Sequence, residues 1–142
     1  FDCSFENCLT GIKETSTGAC GRIENCSFTN SGTFQMTGIY LIGSIPTING
    51  CAFNACDTGV FFEGSYYAPR ESGIYDSSFQ MCEVAVETRS ANPRVQNCDF
   101  YMNAVGIKCH NDSNANLSVN ASNSFRNTGK NIQFLGDDGY HS

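Results

Sequence analysis

The sequence predicts an all-β protein, a parallel β-helix in which the chain winds into a solenoid of about six turns, here called rungs. A sextet at residues 23–28 recurs at 48–53, 74–79 and 95–100, with degraded copies near both ends. Its final Phe recurs at intervals of 23, 25, 26, 21 and 25 residues, a period typical of repeat architectures. Apolar and polar residues alternate within each copy, and no segment sustains the helical period of 3.6. The repeated residues are Phe5, Phe28, Phe53, Phe79, Phe100 and Phe125.

Each copy begins with a short Ile strand, anchored in successive copies by Ile23, Ile48, Ile74 and Val95. It is followed by a Phe strand, in which the Cys and Phe of the sextet point inward. The position between the two strands is filled mostly by residue types that tolerate a left-handed or turn backbone. The sequence therefore predicts a corner there, at Asp2, Asn25, Gly50, Asp76, Asn97 and Ser122.

A third strand follows the Phe strand. In five of six copies its first apolar residue stands seven positions after Phe, at Ile12, Val60, Val86, Ile107 and Ile132, whereas Ile39 comes four positions later. Leu41, Phe62, Cys109 and Phe134 continue the inward pattern, which Glu14 and Thr88 break. Three short strands and a return of variable length make one rung of 21–26 residues. Neighbouring rungs are expected at the parallel-sheet spacing of about 4.8 Å.

The pattern Ile-x-Asn-Cys-x-Phe-x-Asn, followed by Gly-Ile-Tyr-Leu, resembles the right-handed parallel β-helix superfamily. That superfamily includes pectate-lyase-like enzymes, polysaccharide epimerases and phage tailspikes. The resemblance covers nearly the whole chain and implies one domain, residues 1–142, folded as a single-stranded right-handed parallel β-helix of about six rungs. The chain opens inside a Phe strand and ends without an amphipathic cap, so a fragment of a longer helix, uncapped at both ends, is expected. Asp137 and Asp138 resemble a paired-Asp motif of polygalacturonase-type hydrolases, but its companion motifs are absent and a surface turn is favoured.

The composition of the chain argues against nucleic acids and membranes as partners. The net charge is −6 and no basic stripe is present, and both features argue against binding of nucleic acid. Solubility is the preferred explanation of the negative charge. No apolar run approaches the roughly 18 residues of a membrane span.

Nine cysteines raise the question of disulfides or metal. The repeat favours free, inward, stacked thiols, because two of its columns mix Cys with small polar residues and therefore select for size. Disulfides and a metal site stay open as weaker alternatives, although no Cys-x-x-Cys occurs and His110 and His141 stand far apart. No metal or cofactor is expected. One column holds Cys3, Cys26, Cys51, Ser77, Cys98 and Asn123, and the other holds Cys8, Ser31, Cys56, Cys82, Asn103 and Thr128.

The candidate site lies on the outward face of the third strand. Its first outward column is Lys13, Tyr40, Phe61, Glu87, Lys108 and Gln133, and its second is Thr15, Ile42, Glu63, Arg89, His110 and Leu135. Irregular segments at 31–37, 64–72 and 110–116 flank this strand, so a walled groove is predicted.

Within this groove the residue types suit a glycan. Tyr40, Phe61, Tyr66 and Tyr67, with Phe34 and Met36 beside them, offer flat faces for sugar rings. Arg89, Lys108 and His110 are candidates for binding substrate, for holding carboxylates ionised and, at His110, for carrying a proton. Glu63 and Glu87 are acid and base candidates, since one rung and two residues separate their Cα positions by about 8 Å. The alternative is a solvated, salt-bridged face of little energetic worth.

These features predict recognition of a bacterial-surface polysaccharide by a tailspike-like β-helix, with cleavage by a polysaccharide depolymerase as a further option. The expected setting is a virion tail or the extracellular surface, with sister chains forming a homotrimer. Two alternatives stay open. One is a structural fibre or adhesin shaft. The other is a secreted polysaccharide lyase, hydrolase or epimerase, for which calcium-binding Asp clusters are expected.

Overall fold

The computed structural model describes residues 2–15, 21–32, 35–65, 72–91, 93–111, 118–119 and 123–136. These segments contain seventeen β-strands in three parallel sheets, so the all-β prediction is confirmed. Within them, no helix is long and apolar enough to cross a membrane.

Successive strands enter the three sheets in turn, so that sheets A and B have six described strands each and sheet C has five. Sheet A is formed by the Phe strands β1 (Ser4–Glu6), β4 (Ser27–Thr29), β7 (Ala52–Asn54), β10 (Ser78–Gln80), β13 (Asp99–Tyr101) and β16 (Ser124–Arg126). Sheet B is formed by the third strands β2 (Thr10–Thr15), β5 (Thr37–Ile42), β8 (Thr58–Ser65), β11 (Val84–Ala91), β14 (Val105–Asn111) and β17 (Lys130–Gly136). Sheet C is formed by the Ile strands β3 (Arg22–Glu24), β6 (Thr47–Asn49), β9 (Gly73–Tyr75), β12 (Arg94–Gln96) and β15 (Ser118–Val119).

The rungs stack in register, and this places the repeated Phe residues in one column inside the solenoid. Adjacent rings lie nearly parallel, with centroids 4.6–5.1 Å apart and interplanar angles of 4–6°. The four middle rings are 0–1% exposed, whereas Phe5 and Phe125 are half-buried. The predicted Phe stack is therefore confirmed.

A glycine column in sheet B makes room for these rings. A Cβ atom added at Gly11, Gly38 or Gly59 would lie 2.7–2.8 Å from a Phe ring of the next rung. It would also lie 2.5–2.7 Å from the carbonyl oxygen of the neighbouring strand. The Phe rings and the neighbouring carbonyl oxygens leave no space for a side chain at these positions. The Gly before the first apolar residue of the third strand is therefore needed for the core to pack.

The predicted corner between the Ile and Phe strands is present. Asn25, Gly50, Asp76 and Asn97 have φ values of 54°, 66°, 48° and 55°, in the left-handed region that these residue types tolerate. The backbone N–H groups at the corner donate to the next rung, as Asn25 does to the carbonyl of Asn49 at 3.0 Å.

A second left-handed corner joins the Phe strand to the third strand, and the residues that occupy it did not indicate its conformation. Asn7 occupies it on one rung, but Ala55, Met81 and Met102 adopt φ values of 59°, 55° and 56° at the equivalent positions. A non-glycine residue there is strained by about 1–2 kcal/mol. Cross-rung hydrogen bonds offset the strain, since the N–H of Met81 donates to the carbonyl of Tyr101 at 3.1 Å.

The eight cysteines in the described segments are free thiols, as predicted, and Cys20 lies outside those segments. Cys26, Cys51 and Cys98 are buried, as predicted, whereas Cys3 on the first rung is exposed. Burial raises the pKa of the Cys98 thiol to about 11. These thiols pack as small apolar groups.

The second Cys column differs from the prediction on the second rung. Ser31 is exposed, and Met36 is fully buried instead. The backbone N–H of Asp57 donates to the carbonyl of Met36, the contact that the N–H of Glu83 makes with Cys56 one rung later. The four extra residues of this rung thus bring Met36 into the interior position. Its prediction as a sugar-stacking residue is wrong.

Phe134 stands in register with the buried Cys109, as the inward pattern predicts, and it is 46% exposed because β14 is the one described strand that covers β17. Thr88, predicted to break the inward pattern, keeps it and is 1% exposed between Phe62 and Cys109.

Candidate functional site

The outer face of sheet B aligns the predicted site residues in two columns. The register pairs Tyr40 with Phe61, Phe61 with Glu87, and Glu87 with Lys108. In the second column Glu63 pairs with Arg89 and Arg89 pairs with His110. The alternation of the strands places both columns outside, as the sequence pattern predicts.

Two aromatic rings form the floor of this face. The Tyr40 and Phe61 rings are stacked, with centroids 5.2 Å apart and an interplanar angle of 29°. Lys13 Nζ lies 5.6 Å from the centre of the Tyr40 ring, and the Arg89 guanidinium lies 6.0 Å from that of Phe61. Each cation faces the electron-rich side of a ring, so the floor combines flat apolar surface with positive charge.

The Glu63 carboxylate accepts a hydrogen bond from a tyrosine. The Tyr40 hydroxyl donates a 2.5 Å hydrogen bond to Glu63 Oε2, from one rung to the next. This hydrogen bond, followed by burial and the charge of Glu63, raises the pKa of Tyr40, because each factor favours the neutral phenol. Tyr40 therefore contributes both a ring face and a fixed donor.

Glu87 is held by a histidine. Glu87 Oε2 lies 2.7 Å from His110 Nε2, and the two side chains are 13% and 18% exposed. Glu87 and Glu63 thus occupy different environments on adjacent rungs: one carboxylate faces an imidazole and the other a phenol.

Three contacts on this face follow one diagonal rule. Tyr40 with Glu63, Phe61 with Arg89, and Glu87 with His110 each join the first column to the second column of the next rung. Backbone positions related in this way are about 8 Å apart, which suits two long side chains reaching toward each other. The face is therefore an ordered array.

Some of the predicted pairings are absent. Arg89 lies over Phe61, and neither Arg89 nor Lys108 forms an ion pair with Glu63 or Glu87 in the part of the chain that the structure describes. His110 contacts Glu87, and Tyr40 contacts Glu63, so these two residues are the direct partners of the carboxylates.

Several predicted residues cannot be placed. Tyr66, Tyr67, Phe34, Asp137 and Asp138 lie outside the described segments, as do most of the residues predicted to wall the groove. Among side chains that are described, no group of three or more His, Cys, Asp or Glu could hold a metal ion.

Sequence reasoning missed two contributors to the molecule's outer faces. It placed Lys13 in the first outward column but gave it no role, although Lys13 extends the cationic cover of the aromatic floor. It also left the outward residues of the Ile strands unexamined. There Arg22, Tyr75 and Arg94 line a cleft of about 400 Å³ on sheet C. The alternation that identified the sheet B columns is the signal that finds these residues too.

Fold and site together define a parallel β-helix protein that displays an ordered array of aromatic, acidic and basic side chains on its longest strands. The family model described as right handed beta helix region matches residues 1–141. The chain therefore belongs to the right-handed β-helix family, as the sequence motif indicated. Comparisons with curated proteins and with solved structures gave no match. The fold supports a polysaccharide-associated or a structural role in general.

Proposed function

We propose that the outer face of sheet B binds a polysaccharide of a bacterial surface, in the manner of a tailspike β-helix. The observation that carries the proposal is the stacked pair Tyr40 and Phe61, flanked by cations and by hydrogen-bonding carboxylates. Sugar rings present apolar C–H faces and a rim of hydroxyl groups. A flat aromatic floor beside donors and acceptors is complementary to both.

The length of the face supports an extended ligand. Its polar and aromatic side chains span the strands from β2 to β14, which is four rung steps of about 4.8 Å each, or about 19 Å. A single sugar ring is much shorter than this span, so a segment of several sugars is the ligand that uses the whole face.

Binding is tested with a panel of bacterial capsular and lipopolysaccharide glycans, using isothermal titration of the 142-residue chain. We expect the double variant Tyr40→Ala with Phe61→Ala to weaken binding at least tenfold. Tyr101→Ala is the matched control, because Tyr101 is an exposed tyrosine on sheet A with an arginine, Arg126, 4.9 Å over its ring. Equal losses in the two variants would contradict the proposal. If no glycan binds, the structural-shaft alternative is preferred.

Cleavage of the bound glycan is a second candidate function for the same face. The different partners of Glu63 and Glu87 favour it, because an acid–base pair needs two carboxyl groups in unlike environments. If the pair is catalytic, Glu63→Gln and Glu87→Gln should each abolish release of reducing ends while leaving binding intact. Glu83→Gln, at an exposed corner, is the control. Unchanged release in both variants would exclude the pair.

The proposal also covers the partners and the location of the protein. If the chain is part of a tailspike, it forms a homotrimer with sister chains and lies in a virion tail or at a cell surface. Light scattering of the purified chain measures the oligomeric state, and a monomer at micromolar concentration would count against this extension.

A further inference from the structure

Four cysteines of the core are stacked in two pairs on neighbouring rungs. Cys26 and Cys51 follow one another in the column at the corner between the Ile and Phe strands, and Cys56 and Cys82 do so at the corner before the third strand. All four are 1–3% exposed. One rung step of about 4.8 Å separates the members of a pair. Each corner therefore brings two sulfur atoms together inside the apolar core.

Contacts with backbone carbonyls show where the sulfur atoms of the second pair lie. Cys56 Sγ is 3.9 Å from the carbonyl oxygen of Asn54, and Cys82 Sγ is 3.9 Å from that of Phe53. Thiols from two different rungs thus reach the carbonyls of two adjacent residues. The Cys56 and Cys82 thiols also form a hydrogen bond with each other. The two sulfur atoms are direct neighbours.

The first pair repeats this arrangement. The Cys26 thiol donates to the carbonyl of Glu24 at 3.3 Å, and the Cys51 thiol donates to the carbonyl of Ile23 at 3.6 Å. These carbonyls again belong to adjacent residues, although the thiols come from different rungs. The same geometry therefore occurs at two corners of the solenoid.

The first column also contains a natural comparison. The Cys98 thiol donates to the carbonyls of Gln96 and Ile74 at 3.3 and 3.7 Å, as the thiols of the pair do. Its neighbours in the column, however, are Ser77 on one side and Asn123 on the other. Cys98 is thus a buried thiol in the same backbone setting without a stacked thiol beside it in the column.

The spacing within a pair is too long for a disulfide and suits a bridging ion. A disulfide requires Cβ atoms about 3.5–4.5 Å apart, whereas parallel strands in register keep them about 4.8 Å apart. Two metal–sulfur bonds of about 2.3 Å in a line span about 4.6 Å, close to one rung step. A tetrahedral ion such as Zn²⁺ takes four ligands, and the described side chains contain no group of three or more His, Cys, Asp or Glu. The geometry therefore favours an ion that accepts two soft ligands.

Charge balance narrows the ion further. A net charge inside an apolar core is costly, so the bound unit should be neutral. The hydrogen bond between the two thiols raises the pKa of Cys56 and lowers the pKa of Cys82, so one sulfur keeps its proton while the other is the easier to ionise. One thiol, one thiolate and one monovalent cation together carry no net charge.

We propose that each stacked pair, Cys26 with Cys51 and Cys56 with Cys82, binds one monovalent thiophilic cation, Cu(I) or an ion of the same chemistry. One thiol of the pair releases its proton to solvent, and its sulfur bonds the ion. The second thiol keeps its proton and bonds the ion through a sulfur lone pair, so no electron is transferred. The ion joins two neighbouring rungs inside the core. This site is interior and does not depend on the function proposed for the outer face of sheet B.

The test uses Cu(I) itself. The full chain is refolded from urea with Cu(I) in the absence of oxygen and then dialysed against the chelator bicinchoninate, which removes weakly held ions. We expect about two ions per chain to remain, each with two sulfur neighbours in the X-ray absorption spectrum of the copper. The double variant Cys26→Ser with Cys51→Ser should retain about half of this copper, and so should Cys56→Ser with Cys82→Ser. Circular dichroism checks that each variant folds.

Cys98→Ser is the matched control, because it removes a buried thiol that has no stacked partner in its column. It should retain the copper content of the unchanged chain.

Four results would overturn the proposal. One is removal of all copper by the chelator, which would leave these thiols as small apolar packing groups. Another is a full copper content in either folded double variant. A third is an equal loss in Cys98→Ser, which would spread the copper over the buried thiols in general. The fourth needs no variant: nitrogen or oxygen neighbours of the copper in the unchanged chain would place the ion elsewhere.

Discussion

Truncation of a ring in the middle of the Phe stack should destabilise the protein far more than truncation at the last rung. Phe53 is 1% exposed, and its ring lies 4.8 Å from the Phe28 ring and 4.6 Å from the Phe79 ring. A buried Phe covers about 150–250 Å² of surface, so loss of its ring at about 25 cal/mol per Å² forfeits about 4 kcal/mol. This lies within the range of about 3–5 kcal/mol observed for Phe→Ala in protein cores.

Phe125 provides the comparison. It is half-buried and stacks on one ring, that of Phe100, at 4.7 Å. With about half of the area and one neighbour, Phe125→Ala should lower the free energy of unfolding by about 2 kcal/mol. Phe53→Leu keeps most of the side-chain volume but removes the ring, and it should lower the free energy of unfolding by about 1–2 kcal/mol.

Urea unfolding followed by circular dichroism measures all three variants. The midpoint should fall most for Phe53→Ala, and the slope of the transition should stay unchanged if the whole solenoid unfolds together. A solenoid that unfolds rung by rung would instead show a broader transition in this variant, because the coupling between the two halves is weakened. Equal losses for Phe53→Ala and Phe125→Ala, within about 0.5 kcal/mol, would refute the stacking argument.

Three further outcomes are expected. Asn103→Ala should lower the free energy of unfolding by about 3 kcal/mol and speed hydrogen exchange at the Cys82 amide, because Asn103 is fully buried and its Oδ1 accepts that N–H at 2.8 Å. Gln80→Ala, at an exposed position, is the control, and a similar loss of stability in both variants would contradict the argument. Thiol titration without reductant should find at least eight free thiols after denaturation. Among the eight cysteines that the structure describes, Cys3 and Cys8 should react rapidly in the native protein and the six buried ones slowly; fewer than eight thiols in the denatured chain would show that disulfides had formed. Because the pKa of Tyr40 is raised in the folded state, its contribution to stability is complete below its unfolded pKa of about 10 and is lost as pH rises through the folded pKa. Tyr40→Phe should therefore remove part of the loss of stability measured in alkaline urea titrations, and an unchanged pH profile would contradict this assignment.

The sequence was sufficient for the repeat, the three strands of each rung and the outward columns, because periodicity of apolar residues reports directly on which side of a strand is buried. The corner at Asn25 was predictable for the same kind of reason, since Asn tolerates a left-handed backbone. The second corner was not. Met81 and Met102 have no preference for that conformation, and packing between rungs imposes it.

The interior position of Met36 shows a different limit. Its rung is longer before β5, and several residues could have filled the vacant core position beside Cys56. Cross-rung hydrogen bonds to the Asp57 backbone and side chain select Met36, and spacing alone contains no information on them.

For the candidate site, alternation predicted which residues lie side by side but could not predict which of them touch. The contacts of Glu87 with His110 and of Glu63 with Tyr40 depend on rotamers that reach diagonally to the next rung. Lys108 is the neighbour of Glu87 in register, yet the contact of Glu87 is with His110 on the diagonal.

The direction of the hydrogen bonds between rungs has a mechanical consequence. Backbone N–H groups of one rung donate to carbonyls of the adjacent rung throughout the three sheets, so these bonds run along the long axis of the solenoid. Tension that draws the two termini apart along this axis pulls the outermost rung away from its neighbour, and that rung's bonds can break one after another. Each detached rung then lengthens the chain by some 21–26 residues before the next one is loaded. Under force the molecule should extend in small, regular steps, and a load applied across the axis should meet greater resistance.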